Sequence, residues 1–380
     1  MIRRLKRETL AADYDHIVAN GKRIWVDLEH QKAAVMLNPL IRRLKHEGAD
    51  LFITARDMGN NRQVMDELGL RVSMVGKHGG ETLAGKMQAY TERVCALLPL
   101  VCNYQPDLFF TFSSVEGIRI AFGLQIPSVS FNDEPRSTAV ARLTLPLSDK
   151  IITPKCIPAQ EYHDLGASKD RLVRYDGIDE IAWIAGFEPH ADVLDACDVD
   201  KGQFVLLRAE MTHAEYLSNT MPPEQSAIAD FLPPVVKAFP NHKYFVIPRL
   251  EVQFTYLQKK LAGIDNVVVA PFVPRIQDLM FYSAFVASGG GTIVRESTLL
   301  GVPSIEFFPG ETAPQEHFLM DNGFSLWHLK DPKEIAAKAI EILSEGPGAG
   351  RFTTAFRDGL AGYENPLDAC YREINKLQTN

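Results

Sequence analysis

The stretch 287–305, ASGGGTIVRESTLLGVPSI, runs from a short apolar strand through a glycine loop and a short helix into a second strand. Gly289, Gly290 and Gly291 would let the backbone approach a ligand without Cβ clashes. Thr292 is placed to cap the helix that follows. Free amides and the positive end of a helix suit a diphosphate, so the pattern predicts a βαβ unit with an anion-binding turn. The alternative is a tight turn that needs glycine for its own geometry.

Five side chains near this loop are candidates for contacting a nucleotide. Ser288 ends the strand, and Arg295 and Glu296 lie about one turn into the helix. Glu296 is placed to accept hydrogen bonds from ribose hydroxyls, and Arg295 could neutralise a phosphate. Arg208 and Arg249 each follow a predicted strand, where a guanidinium can clamp phosphate in bidentate fashion. Surface ion pairs are the alternative for these two arginines.

Several better-known motifs are excluded. Val294 stands where the dinucleotide fingerprint expects a third Gly or Ala, which argues against a nicotinamide enzyme. The segment 80–86 resembles a P-loop, but Met87 replaces the Ser or Thr that would hold magnesium. Asp-Val-Asp at 198–200 is better explained as a solvated loop than as a metal site. Hydrolase and metalloprotease signatures are absent from the sequence.

The composition is that of a folded protein. Of 380 residues, 46% are hydrophobic and 23% charged, which excludes extensive disorder. The net charge of -8 argues against nucleic acid as a partner. Five cysteines without a CxxC spacing indicate neither a disulfide framework nor a zinc ribbon, and we expect no cofactor. No apolar run reaches the roughly 18 residues of a membrane span, so we expect a cytoplasmic protein.

The N terminus is basic. Arg3, Arg4, Lys6 and Arg7 occur within the first seven residues. They are candidates for peripheral contact with anionic lipid at the inner face of the membrane, and a solvated helix face is the alternative.

Short β-branched and aromatic runs alternate with helical periodicity, which is typical of βα units and parallel sheets. The predicted strands are 23–27, 50–55, 70–75, 107–112, 127–131 and 150–153, then 203–207, 244–247, 266–270, 285–287 and 303–307. Two such series predict an α/β protein with two Rossmann-like doubly wound domains facing each other across a cleft. Ligands of open α/β sheets bind at the carboxyl ends of the strands, so we expect function in the strand-to-helix loops.

The boundaries follow from turn residues and periodicity. We predict an N-terminal extension over 1–21, a first Rossmann-like domain over 22–185, a linker over 186–202, a second Rossmann-like domain over 203–348 and a helical tail over 349–380.

Loops of the first domain carry ionisable groups that could serve as a general base. Asp27 and His30 follow the first strand, and Asp133 and Glu134 follow the strand that ends at 131. His78 lies in a third loop. Deprotonation of a hydroxyl requires such a carboxylate or imidazole. A lone loop histidine, however, is more often only a turn residue.

Several segments together resemble the GT-B glycosyltransferases. The resemblance is greatest to a bacterial and archaeal GT-B-like family of unknown function, related to peptidoglycan GlcNAc transferases and UDP-GlcNAc 2-epimerases, and it spans most of 22–330. The matching segments are 25–30 (WVDLEH), 54–56 (TAR), 76–80 (GKHGG), 126–133 (IPSVSFND), 142–147 (RLTLPL), 175–177 (YDG) and 289–303.

The resemblance implies that the two domains bind different substrates. The second would bind the nucleoside diphosphate through the loop 289–292 and the ribose through Glu296, with Gln315 and Glu316 at the donor sugar. The first would take the acceptor, with His30 at a position of a base. Related sequences carry a second histidine where this chain has Ala33. Catalysis in this fold normally needs no bound metal, because a helix dipole and cations stabilise the leaving group.

Three functions remain open at this stage. The first is transfer of a sugar from a UDP-type donor to a hydroxyl-bearing acceptor of an envelope or polysaccharide pathway. The second is a nucleotide-sugar 2-epimerase of the same fold, which needs paired carboxylates such as Asp27, Glu29, Asp133 and Glu134. The family's usual Gly-Thr-Arg-Pro-Glu loop is absent, which favours transfer. The third is a nucleotide-sugar-binding protein without catalysis, which the departure at Ala33 keeps open.

Overall fold

The computed structural model describes residues 21–80, 82–210, 222, 224–273, 275–348 and 350–378. They form two compact units. The first comprises the described residues up to Thr153, Gln160–Val173 and the residues from Leu367 onward; the second comprises Pro154–Ala159 and Arg174–Pro366. The chain passes between the units within 154–174 and again between Pro366 and Leu367. The linker at 186–202 stays a prediction, and the basic residues of the N terminus lie outside the described part.

Thirteen strands form the sheets of the described chain. In chain order they are β1 (Arg23–Leu28), β2 (Asp50–Asp57), β3 (Ser73–Lys77), β4 (Leu108–Phe112), β5 (Ser128–Phe131), β6 (Lys150–Pro154), β7 (Leu172–Tyr175), β8 (Phe204–Arg208), β9 (Lys243–Ile247), β10 (Val267–Val269), β11 (Val286–Ser288), β12 (Ser304–Glu306) and β13 (Leu326–His328).

Sixteen α-helices connect or follow these strands in the described residues. They are α1 (Gln31–His46), α2 (Asn61–Glu67), α3 (Leu83–Tyr104), α4 (Val115–Gly123), α5 (Thr138–Thr144), α6 (Ala159–His163), α7 (Ile181–Ile184), α8 (Asp192–Cys197), α9 (Ile228–Ala238), α10 (Glu251–Lys260), α11 (Ile276–Tyr282), α12 (Gly291–Leu299), α13 (Pro314–Asp321), α14 (Pro332–Glu345), α15 (Phe356–Leu360) and α16 (Pro366–Gln378).

Both sheets are parallel, because each strand returns through a helical crossover. The first has the order β3-β2-β1-β4-β5-β6-β7 and the second the order β10-β9-β8-β11-β12-β13. Every strand predicted from the sequence is present, with bounds shifted by a few residues. The last strand of each sheet, β7 and β13, was not predicted.

The order of the strands fixes where a ligand can bind in each unit. Strand order reverses between β1 and β4 in the first sheet and between β8 and β11 in the second. A crevice opens at such a switch point, outside the carboxyl ends of the two strands. The loops after β1 and β11 begin at Glu29 and Gly289, so both sets of predicted residues start at a switch point.

Apolar side chains fill both faces of each sheet. Trp25 on β1 packs against Phe109 on β4 with ring centroids 4.1 Å apart, and Phe204 on β8 packs against Phe245 on β9 at 5.9 Å. The strand sequences are nearly continuous apolar runs, because both faces of each sheet are buried. Among the described residues, no helix is long and apolar enough to cross a membrane.

Candidate functional site

The glycine loop joins β11 to α12 at the switch point of the second unit. Gly290 precedes the helix, and its N–H donates to Ser288 Oγ at 3.2 Å. The predicted cap at Thr292 is wrong: the helix begins at Gly291, and no described side chain caps it. Thr292 Oγ1 instead accepts a long bond of 3.5 Å from Arg295. The amino end of α12 thus presents backbone donors without a side-chain acceptor.

The glycines at 289–291 are required by space rather than by backbone conformation, because none of them has a positive φ. A Cβ at 289 would lie 2.3 Å from Glu210 Cγ, one at 290 would lie 2.8 Å from Arg249 Nη2, and one at 291 would lie 2.1 Å from Glu316 Oε1. The protein's own side chains therefore occupy the space that the missing Cβ atoms leave.

Arg295 joins two buried glutamates. Its Nε donates to Glu180 Oε1 and its Nη1 to Glu316 Oε1, each at 2.8 Å. The second oxygen of each glutamate has no donor among the described residues. Arg295 was expected at a phosphate and Glu316 at a sugar, yet the two side chains are paired with each other. Gln315, next to Glu316 at the start of α13, is equally buried.

Glu296 is buried one turn into α12 and accepts two hydrogen bonds at Oε1. Trp183 Nε1 donates at 2.8 Å and Gln277 Nε2 at 3.3 Å. Burial raises the pKa of Glu296 to about 7, although both donors act against that shift. Near neutrality this carboxyl changes between accepting and donating a hydrogen bond, so it can respond to a hydroxyl-bearing ligand.

Arg208 and Arg249 flank the glycine loop. Arg208 ends β8 and pairs in register with Ser288, while Arg249 Nε donates to the Ala209 carbonyl at 2.8 Å. No described residue hydrogen-bonds to the Arg208 guanidinium, and its Nε is buried. Burial lowers the pKa of Arg208, and the nearby Glu296 carboxyl opposes that shift. The second unit therefore holds a partly buried cation beside an uncapped helix.

In the first unit, Asp27 is fully buried and receives four hydrogen bonds. Arg93 donates from Nη2 at 2.7 Å and from Nη1 at 3.0 Å, and the hydroxyls of Thr54 and Ser114 donate at 2.7 and 2.5 Å. Burial by itself raises the pKa of Asp27, but Arg93 and the hydroxyls outweigh it and hold the pKa below the usual 3.8. A carboxylate held in this way is a poor proton acceptor.

Asp27 begins a row of alternating charges that sequence analysis did not detect. Arg93 Nη1 lies 3.3 Å from Glu116, and Arg56 Nη2 bridges Glu116 at 2.5 Å and Glu29 at 2.8 Å. We call Asp27, Arg93, Glu116, Arg56 and Glu29 the ion chain. It contains three carboxylates and two guanidinium groups, so one negative charge is left over when all are ionised.

His30 precedes α1 and caps it, because its Nδ1 accepts the Ala33 N–H at 3.2 Å. Burial, aided by the Lys32 charge, lowers the pKa of His30 to about 4, so the ring is neutral at pH 7. With Nδ1 as an acceptor, the proton of the neutral ring is on Nε2. His30 is thus arranged as a donor. Lys32 forms an ion pair with the buried Asp133.

The last two base candidates, Glu134 and His78, also form hydrogen bonds. Both oxygens of Glu134 accept from Arg136 at 2.7 Å. His78 is exposed, and its Nδ1 accepts the Gly80 N–H at 3.1 Å. The carboxyl ends of β1 and β5 therefore bring Asp27, His30 and Asp133 close enough for both carboxylates to affect the pKa of His30, whereas His78 follows β3.

Solved structures of UDP-GlcNAc 2-epimerases and of a glycosyltransferase have a similar fold. The UDP-GlcNAc 2-epimerase of Neisseria meningitidis bound to UDP-GlcNAc matches 94% of this chain and 100% of its own, with a TM-score of 0.65 and 15% identity. That of Methanocaldococcus jannaschii, in complex with UDP-GlcNAc and UDP, matches 94% and 100%, with a TM-score of 0.67 and 16% identity. The glycosyltransferase of kitacinnamycin matches 94% and 99%, with a TM-score of 0.58 and 15% identity.

These similarities confirm the predicted fold class: two Rossmann-type α/β domains of the GT-B kind, each with a parallel sheet. An uncharacterised protein of Methanocaldococcus jannaschii is 26% identical over 359 residues, covering 92% of this chain and 97% of that protein. The resemblance to a GT-B-like family of unknown function is confirmed as well, because the family described as "Protein of unknown function (DUF354)" matches residues 22–356, and the chain belongs to it.

Proposed function

We propose that this protein is a glycosyltransferase that moves a sugar from a nucleoside-diphosphate sugar to a hydroxyl-bearing acceptor of an envelope or polysaccharide pathway. One observation carries the donor assignment. Arg208 is a partly buried cation with no hydrogen-bond acceptor among the described residues, and it lies beside an α-helix whose amino end no described side chain caps.

Both features favour an anion at the same place. Withdrawing an arginine from water costs several kcal/mol unless a negative group compensates it. The first N–H groups of a helix likewise need acceptors, and a phosphate satisfies them. Because Ser288 and Arg208 are register partners, the loop and the guanidinium meet at one strand end. A diphosphate can engage both, and Arg249 lies over Gly290 as a second cation.

The rest of the donor follows from the residues around this anion site. Glu296, buried one turn into α12, can exchange hydrogen bonds with ribose hydroxyls. UDP is the favoured nucleotide because two of the structurally similar epimerases were solved with UDP-GlcNAc or UDP. Uridine is therefore the base to test first, with N-acetylglucosamine as the first sugar.

Transfer is favoured over 2-epimerisation by the state of the carboxylates. Elimination and re-addition of a diphosphate need paired carboxylates at the sugar. Asp27 is held by Arg93, Asp133 by Lys32, and Glu134 by Arg136 through both oxygens. Among the four carboxylates considered for epimerisation, Glu29 has an oxygen, Oε2, with no described hydrogen-bond partner. One available carboxylate suits the deprotonation of an acceptor hydroxyl.

The reaction requires a proton acceptor and a stabilised leaving group. The acceptor hydroxyl loses its proton to a base while its oxygen attacks the anomeric carbon. The bond between that carbon and the diphosphate oxygen breaks, and its electron pair leaves with the diphosphate. Arg208, Arg249 and the amino end of α12 would stabilise the charge that develops there.

Calorimetric titration of the full chain with UDP, UMP, uridine and UDP-GlcNAc tests the donor site. We expect UDP to bind more tightly than UMP, because the second phosphate adds charge-assisted bonds. Arg208→Gln should weaken UDP binding by about 10- to 150-fold, which corresponds to the 1.5–3 kcal/mol of such a bond. Uridine binding should change little.

The matched control is Arg62→Gln, which removes an exposed arginine paired with Asp57 in the first unit. It should leave the affinity for UDP unchanged. The proposal fails if none of the four compounds binds, or if Arg208→Gln binds UDP as the wild type does. A protein that binds UDP-sugars and never consumes them would match the non-catalytic alternative.

A further inference from the structure

We infer that Glu29 takes the proton from the acceptor hydroxyl, through its carboxylate oxygen Oε2. The inference rests on the proposed glycosyl transfer, which needs a base. It concerns the first unit alone, whereas the nucleotide site concerns the second. The two can therefore be tested separately.

The position of Glu29 suits this role. It follows β1 directly, at the switch point of the first sheet, and its side chain is 18% exposed. Arg56 Nη2 holds Oε1 at 2.8 Å. No described residue hydrogen-bonds to Oε2. One oxygen is thus anchored and the other is available to a ligand, which is the geometry that a positioned general base requires.

The ion chain explains why Glu29 can accept a proton near neutral pH. Glu29 is the last of three carboxylates that share two guanidinium groups. Burial raises the pKa of Glu29 to about 7, with Glu116 and Asp27 acting in the same direction and Arg56 and Arg93 against it. Two ionisable residues follow Glu29 in the chain. His30 is neutral at pH 7, and Lys32 is paired with Asp133. A base is most effective when its pKa lies near the working pH.

The other candidates in this unit are less suited to the role. Asp27 is buried under four hydrogen bonds. His30 uses the Nδ1 lone pair to cap α1, and its Nε2 carries the ring proton. Asp133 is already engaged in an ion pair with Lys32.

The step is balanced without another reactant. The proton of the acceptor hydroxyl forms a bond to Glu29 Oε2, and the electron pair of the O–H bond becomes available to the acceptor oxygen. That oxygen forms a bond to the anomeric carbon, and the nucleoside diphosphate departs with the electrons of the broken C–O bond. Glu29 then releases its proton to solvent.

Two measurements on the full chain test the inference, and both compare wild type with Glu29→Gln. The first is a ¹³C NMR titration of δ-labelled glutamate, which should show a resonance titrating near pH 7 that disappears in Glu29→Gln. The second is release of UDP from UDP-GlcNAc, UDP-glucose and UDP-galactose, with water or added sugars as acceptors. The rate should rise with pH through about 7 and fall about 10²- to 10⁴-fold in Glu29→Gln.

The matched control is Glu67→Gln, which neutralises an exposed carboxylate of the first unit that accepts a hydrogen bond from Gln63 Nε2 at 2.9 Å; it should retain the wild-type rate and pH profile. UDP affinity should be the same in all three proteins, and a protein that binds no UDP contradicts the donor site rather than Glu29. The inference is overturned if Glu29 titrates as an ordinary carboxyl, if Glu29→Gln releases UDP at the wild-type rate, or if a wild type that binds these donors consumes none.

Discussion

Gly291→Ala is predicted to separate Arg295 from Glu316. A Cβ at this position would lie 2.1 Å from Glu316 Oε1 and 2.7 Å from Arg295 Nη1. Ordinary contact begins at 3.4 Å, so the carboxylate would have to retreat by about 1.3 Å. Glu316 is completely buried at the start of α13, so the displaced carboxylate would have to move within the protein interior. Its bond of 2.8 Å to Arg295 would therefore break.

The energetic cost follows from the burial of this pair. Breaking a buried ion pair leaves an uncompensated charge and destabilises the folded protein by about 3–5 kcal/mol. For a unit of this size, each kcal/mol lowers the melting temperature by about 2–4 °C. Gly291→Ala should thus melt roughly 6–20 °C below the wild type. Urea unfolding measures the change in unfolding free energy, and differential scanning calorimetry measures the change in melting temperature.

Two further variants isolate the cause. Gly186→Ala adds the same methyl group in the same unit where no atom lies within 4 Å, and it should be nearly neutral. Glu316→Ala removes the carboxylate that the new methyl would strike. Gly291→Ala combined with Glu316→Ala should therefore cost much less than the sum of the single changes. Additive effects, or a Gly291→Ala protein as stable as the wild type, would refute the proposed clash.

Two predictions concern buried carboxyls. Asp27→Asn should lower the free energy of unfolding by about 3–5 kcal/mol at pH 7, measured by urea unfolding, because Arg93 loses its counter-charge. Since the folded pKa of Asp27 is depressed, this difference should hold above about pH 4 and shrink as the pH falls through that pKa. A difference below 1 kcal/mol at pH 7 would contradict the prediction. Glu296 has a raised pKa, so the folded wild type should lose about 3 kcal/mol of stability between pH 4.5 and about 7 through this group. Glu296→Gln should lack that part of the loss, and parallel pH–stability curves of the two proteins would contradict the assignment.

The features that sequence could predict are those set by neighbours along the chain. Runs such as Leu-Phe-Phe-Thr-Phe at 108–112 show their β propensity and burial directly, and the repeated βα units predict parallel sheets. The two arginines of the ion chain, Arg56 and Arg93, left no such signal. Arg93 lies 66 residues from Asp27, inside a helix where one arginine is ordinary. Its role depends on a tertiary contact that periodicity does not encode.

The glycine loop shows that the sequence can indicate a need for glycine without indicating its structural reason. The sequence predicts that Gly289, Gly290 and Gly291 make room for a ligand, and the structure shows Glu210, Arg249 and Glu316 filling that room. A glycine in the sequence indicates only that a larger side chain would not fit, and it does not indicate which atoms occupy that space. A glycine variant that loses nucleotide affinity would therefore report disturbed packing as readily as a lost phosphate contact. Arg208 is the better probe of the ligand, because no described residue depends on it for a hydrogen bond.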